Sequence, residues 1–170
     1  MLPSTCDLYD RFEDDARVAN AAWRDFGARR SFAGVAVTVK CFEDNSRVKE
    51  LLDQPGAGKV LLVDGGGSPR CALMGDMIAK AAVKNSWEGV IIHGCVRDVA
   101  ALACLDLGIK ALGTTPRKST RRGEGTAGIA IELGGAQVRN GDHVVADEDG
   151  VLILNAVQSA AVFGVCAQQA

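Results

Sequence analysis

The chain has 170 residues, 48% of them hydrophobic, with 19 Lys and Arg against 21 Asp and Glu. That length buries one core and leaves little for a second, so a single domain over 1–170 is expected. A net charge of −2 argues against the basic footprint of a nucleic-acid binder and the acidic run of a disordered tail.

Six cysteines, at 6, 41, 71, 95, 104 and 166, are scattered through apolar runs with no CxxC pair, and no leader is expected. Reduced, mostly buried thiols in a cytoplasmic protein are therefore expected, not a disulfide framework. No apolar run approaches the roughly 20 residues of a membrane helix, so no membrane is expected among the partners.

In chain order, Thr5 is placed to cap a short helix carrying Leu8, Tyr9 and Phe12 at helical spacing. The β-branched run FAGVAVTVKC from Phe32 reads as a strand, followed by a helix with Val48, Leu51 and Leu52 on one face and a PGAG break at 55–58. KVLLVD (59–64) is a buried strand feeding a Gly-Gly-Gly-Ser loop expected to help form a site. A helix starts near Gly75 with Met77, Ile78, Ala81 and Ala82 facing inward, and EGVIIHG after Trp87 is a second buried strand. RDVAALACLDLG reads as a short helix closed by Gly108, IKALGTT as a third strand, and 116–125 as a basic, Gly-containing excursion. Short strands joined by Gly-Gly, Asn-Gly and Asp-Gly turns follow, then a last helix of Ala, Val and Gln.

This pattern is α/β, with βα units in the middle and hairpin strands behind them. The GGGS at 65–68 lacks GxGxxG spacing and no GxxxxGK[ST] occurs, which argues against dinucleotide and P-loop sites.

Asp76 opens one helix, and after twenty intervening residues Arg97-Asp98 opens the next. Loops at successive strand ends collect on one rim of an α/β sheet, so the three residues can converge. Two carboxylates suit a hard divalent cation, an Arg suits a carboxylate or oxo group, and the amides around Gly75 to Ile78 suit a substrate carboxylate. The same residues also read as an ordinary helix cap beside a surface ion pair.

The stretches TVKCFEDNS (38–46), KVLLVDGGGSPRCALMGDMIAKAA (59–82), WEGVIIHGCVRDVAAL (87–102) and GDHVVADEDGVLIL (141–154) resemble the family of ribonuclease-E activity regulator A and the class II 4-hydroxy-4-methyl-2-oxoglutarate aldolases. The enzyme branch is marked by an Asp, twenty residues, then Arg-Asp, which this chain matches. Regulator-type members typically lack the second Asp. The resemblance implies a layered β/β/α swivelling-domain fold like the phosphohistidine domains. It implies a lyase that cleaves 4-hydroxy-4-methyl-2-oxoglutarate and decarboxylates oxaloacetate through a pyruvate enolate, with Mg²⁺ or Mn²⁺ as cofactor. Asp98 would be the metal ligand, Asp76 would act through metal-bound water, Arg97 would contact the oxo group, and Gly75, Asp76, Met77 and Ile78 would seat the carboxylate. It further implies a homotrimer or a hexamer, with a small 2-oxo acid as substrate; the alternative is a non-catalytic inhibitor of ribonuclease E.

Two departures favour decarboxylation over aldol cleavage. Ala101 stands where many enzyme members carry an acid, and the longer C-terminal part that brings an acid from a neighbouring subunit is expected to be lacking. His93 and His143 read as structural, Cys71 and Cys95 as inert fillers, and the charges of 117–122 as solvated surface. Lys40 and Asn45 flank a strand-to-helix junction, where Asn45 either caps its helix or lines the pocket from an adjacent subunit.

Overall fold

The computed structural model describes residues 2–164. In chain order the elements are α1 (Thr5–Phe12), β1 (Arg17–Val18), β2 (Arg24–Asp25), β3 (Phe32–Lys40), α2 (Ser46–Leu52), β4 (Lys59–Asp64), β5 (Ala72–Met74), α3 (Asp76–Lys84), β6 (Gly89–Val96), α4 (Val99–Leu102), β7 (Gly108–Thr114), β8 (Thr126–Ala127), β9 (Ile131–Leu133), β10 (Ala136–Val138), β11 (His143–Ala146), β12 (Val151–Leu154) and α5 (Ala156–Phe163).

The large sheet runs β1-β12-β11-β3-β4-β6-β7-β2, with β5 added to β6 and β8 to β3. Strands β3, β4, β6 and β7 are parallel to one another, while β11 and β12 extend the sheet antiparallel. Parallel strands need both faces covered, which is why β4 and β6 are almost wholly apolar. Their side chains alternate between two cores. Leu61, Val63, Val90 and Ile92 face the helices, against Val48, Leu52, Ile78, Ala79, Ala82 and Leu102. Val60, Leu62 and Ile91 face Ile131, Leu133, Ala136 and Val138 of the β9–β10 hairpin. That hairpin turns at Gly134 and Gly135 with φ 52 and 81, the positive values a two-residue turn needs to match strand twist. The result is hairpin, sheet and helices in three layers, the β/β/α arrangement expected. On the hairpin side the Phe32 ring lies so close over Gly89 and Gly108 that an added Cβ would sit 2.4 and 2.1 Å from it.

Several local expectations change. Ser4, not Thr5, caps α1 by accepting the Asp7 amide at 3.0 Å; Thr5 is buried and bonded to Asp147 instead. Gly108 opens β7 and closes no helix, because α4 is one turn long and passes through further turns to Leu107. Met77 is 80% exposed; helical rotation puts Ile78, Ala79 and Ala82 on the inner face and carries Met77 away from it, with Ala81 at the margin. The strand β5 lies where a loop was expected.

Candidate active site

Strand β5 extends the parallel sheet for three residues, pairing Ala72 with Cys95 and Met74 with Val96. The Arg97 amide continues that ladder by donating to the Met74 carbonyl at 3.0 Å. The N-terminus of α3 and the Arg97-Asp98 pair are therefore neighbours at the C-terminal rim of the strands, where open α/β sheets bind ligands.

Asp98 leaves the rim with φ 61 and ψ 39, a left-handed conformation that Asp tolerates better than most residues. Its carboxylate is turned onto the start of α3. The Asp76 amide donates to Asp98 Oδ2 at 3.2 Å and Arg97 Nε donates to the same oxygen at 3.3 Å. Gly75 makes room for this, since an added Cβ would lie 2.5 Å from Asp98 Oδ2. Arg97 is steadied from its other end, where Nη1 donates to the Pro116 carbonyl at 3.4 Å. The Lys80 ammonium, one turn along α3, donates to Asp76 Oδ2 at 2.6 Å. That bond, helped by the Met77 amide, holds the Asp76 carboxyl below the usual carboxylate range.

The cleft these residues line measures about 90 Å³, room for a small acid and far below the usual volume of a nucleotide site. Gly75, Asp76, Met77, Ile78, Arg97, Asp98 and Asn45 all line it, as the sequence predicted, and Ala72, Lys118 and Arg121 complete it. Asn45 holds the N-cap position of α2 and lines the cleft of its own chain, where the pocket of an adjacent subunit was the expected alternative. Its side chain makes no cap bond; Nδ2 donates to the Leu73 carbonyl at 3.2 Å and Oδ1 accepts from Arg121 Nε at 3.2 Å.

The residues 117, 118, 121 and 122 are exposed, as the reading of solvated surface expected, and two of them, Lys118 and Arg121, also line the cleft. Their loop is laid alongside β5, with a parallel bridge between Ala72 and Lys118, which brings two of its four cations to the cleft. The only signal in the sequence was four cations within six residues. The Gly-Gly-Gly-Ser loop, expected at the site, instead folds back on β6, where the Gly67 amide donates to the His93 carbonyl at 3.0 Å. The α3 amides are also partly engaged by the chain itself, at Asp76 by the Asp98 carboxylate.

Among the described residues no three His, Cys, Asp or Glu side chains gather to cage a metal. The pocket offers two carboxylates, a donor set that fits Mg²⁺ or Mn²⁺, which keep several waters, better than Zn²⁺ with its three or four protein ligands.

The remaining polar candidates lie elsewhere. Lys40 pairs with Asp64 at 3.6 Å. His93 stands edge-on to Trp23 at 6.1 Å, and His143 stacks on Phe163 at 4.4 Å, where burial pushes its pKa down. Cys71 and Cys95 are buried, and burial pushes both thiols up, away from the thiolate a nucleophile needs.

The chain is thus a layered α/β protein with acid and guanidinium groups gathered at the C-terminal ends of its parallel strands, where such folds bind ligands. The RraA-like family model, described as Aldolase/RraA, matches residues 5–153, and the chain belongs to that family. A relative from Acinetobacter baylyi named "Putative 4-hydroxy-4-methyl-2-oxoglutarate aldolase" is 54% identical over 155 residues, 88% of this chain and 91% of its own. A solved structure described as the RNA-processing inhibitor RraA from Thermus thermophilis is 41% identical with a TM-score of 0.87, over 91% of this chain and 93% of its own. Another, described as an S-adenosylmethionine:2-dimethylmenaquinone methyltransferase from Geobacillus kaustophilus, is 42% identical with a TM-score of 0.88, over 90% of this chain and 95% of its own. Relatives of 50 to 57% identity named as aldolases set the chain among carbon–carbon lyases.

Proposed function

We propose that the chain is a divalent-metal-dependent lyase that decarboxylates oxaloacetate and cleaves 4-hydroxy-4-methyl-2-oxoglutarate, both through a pyruvate enolate. The observation that carries this reading is the meeting of Asp76, Arg97 and Asp98 at one rim, closed by the 3.2 Å bond from the Asp76 amide to Asp98. In the bound state Asp98 would hold the metal directly and Asp76 through water. The metal supplies positive charge that draws electron density onto the carbonyl as the adjacent carbon–carbon bond breaks.

The chain's own groups then orient the acid. The Ile78 amide, which has no acceptor among the described residues, faces the first carboxylate at the positive end of α3. Arg97 contacts the oxo group and stabilises negative charge there. Lys118 and Arg121, on the opposite wall, face the second carboxylate that both substrates carry. Decarboxylation releases CO₂ and leaves an enolate to be protonated. Aldol cleavage must in addition remove the proton of the substrate hydroxyl, and Ala101 offers no acid or base for that step. Decarboxylation is thus the activity to expect first.

Pyruvate release from oxaloacetate tests the reading. It should require Mg²⁺ or Mn²⁺, stop with chelator, and fall by about 100-fold or more in Asp98→Ala. Full activity in that variant, or turnover indifferent to chelator, would remove the basis for it.

The likeness to the Thermus RNA-processing inhibitor supports a second, compatible reading as a protein that inhibits a ribonuclease of the E type. Absence of binding to such a ribonuclease at micromolar concentration in a pull-down would dispose of it.

A further inference from the structure

The loop between β7 and β8 carries two of the cleft's cations, yet it is held by its main chain. Its first half follows β5: the Ala72 amide donates to the Arg117 carbonyl at 2.7 Å, and the Ser119 amide to the Ala72 carbonyl at 3.2 Å. Its second half follows the corner between β3 and α2. There the Thr120 amide donates to the Glu43 carbonyl at 3.0 Å and the Asn45 amide to the Thr120 carbonyl at 3.2 Å.

Asp44 sits at that crossing, with 0% of its surface exposed and outside the lining of the cleft. Its Oδ1 accepts the Ser46 amide at 2.8 Å. Its Oδ2 accepts the Arg122 amide and, at 3.5 Å, the Thr120 hydroxyl. Burial pushes its carboxyl up, and the bonds from Ser46, Arg122 and Glu124 more than offset this, so it stays below the usual range. A buried carboxylate is costly unless its oxygens are satisfied; here they are satisfied largely by one short stretch of loop. The two loop residues it grips, Thr120 and Arg122, flank Arg121, whose guanidinium rests on Asn45.

We propose that Asp44 is a positioning residue for the site: by holding the Arg122 amide and the Thr120 hydroxyl it sets Arg121 against the cleft, and so sets the preference for acids with a second carboxylate. The inference rests on the reading of the cleft as a 2-oxo diacid site. It assigns Asp44 no contact with substrate, only control over a group that has one.

The experiment compares the wild type, Asp44→Ala, Asp44→Asn, Arg121→Ala and the Asp44→Ala/Arg121→Ala double variant in the presence of Mg²⁺. One probe, oxaloacetate decarboxylation, uses both carboxylates. The other, exchange of pyruvate methyl protons with D₂O followed by NMR, uses one. Backbone amide exchange over residues 118–123 is measured beside them. Asp44→Ala should raise KM for oxaloacetate about tenfold with a smaller change in kcat, and keep pyruvate exchange within about twofold. Its amides at 120 and 122 should exchange faster, and it should add nothing further to the KM of Arg121→Ala. Asp44→Asn, which keeps one acceptor oxygen, should fall between.

Equal losses on both probes would mean that Asp44 serves the fold alone and would overturn the proposal. So would an unchanged KM in a variant whose loop amides exchange faster. If Asp44→Ala does not fold, Asp44→Asn decides by the same split. A wild type inactive on both probes overturns the lyase reading itself; calorimetric binding of 2-oxoglutarate relative to pyruvate then decides the role of Asp44. A diacid preference lost in the Asp44 variants supports the role, and one retained overturns it.

Discussion

At Asp98 the chain adopts φ 61, a conformation that costs a non-glycine residue about 1–2 kcal/mol. What offsets it is the pair of donors at its carboxylate, the Asp76 amide and Arg97 Nε. The arrangement depends on Gly75 having no side chain, although its own φ of −130 suits any residue. Gly75→Ala should therefore fold normally, with a melting midpoint within about 4 °C of the wild type. Its Cβ, 2.5 Å from Asp98 Oδ2, should displace that carboxylate and lower kcat/KM for oxaloacetate by about 10- to 100-fold. An unchanged kcat/KM would mean that the Asp98 position seen here does not matter for turnover. At this scale the sequence was informative where chemistry and spacing coincide, as in Asp76 and Arg97-Asp98. It was silent on Asp44 and showed Arg121 only as one of four clustered cations, because their contacts arise from a loop crossing two elements far from it in the chain.

The helix α1 has eight residues, too few to be stable alone. It is tied to the sheet by Asp147, which is 6% exposed. Asp147 accepts the Thr5 amide and hydroxyl, both at 2.7 Å, and the Asp149 and Gly150 amides at 3.0 and 3.3 Å. Asp147→Ala should cost about 2–3 kcal/mol in urea unfolding; a change under about 0.5 kcal/mol would refute this anchoring. Burial raises the Asp147 pKa and the Thr5 and turn bonds lower it further, so the folded value lies below the ordinary one. The stabilisation is thus complete above the unfolded value of about 3.9 and fades as pH falls through the folded one. The stability gap between wild type and variant should narrow below about pH 4. The sequence placed α1 correctly and its cap one residue late, because Ser4 and Thr5 are chemically equivalent caps until Asp147, distant in sequence, claims one. Strand β4 was legible as a nearly continuous apolar run, β6 as a buried strand and β7 as a third strand after a short helix. Strand β5 was not, since three apolar residues between Cys71 and Gly75 carry no period to read, and with it went the route by which Lys118 and Arg121 reach the cleft.

Over the whole molecule, the parallel half of the sheet bears the cleft and the antiparallel half extends the core. Among the described residues no helix is long and apolar enough to cross a membrane. Large apolar side chains stand exposed beside the cleft, Met77 at 80% and Val99 at 38%, with Val83 at 36% further along α3, a surface suited to a second copy of the chain. Sedimentation should give a mass of three or six chains; a monomer at micromolar concentration would contradict the expected assembly. The loop from 116 to 125 has a further consequence, for how such a site can change over generations. Its course is fixed by bonds to the carbonyls and amides of residues 117, 119, 120 and 122, none of which involves the side chain of Lys118 or Arg121. On the proposed reading of the cleft, substitutions at those two positions would alter which acid is accepted while leaving the loop's frame in place, and selection could redirect this scaffold toward new substrates one side chain at a time.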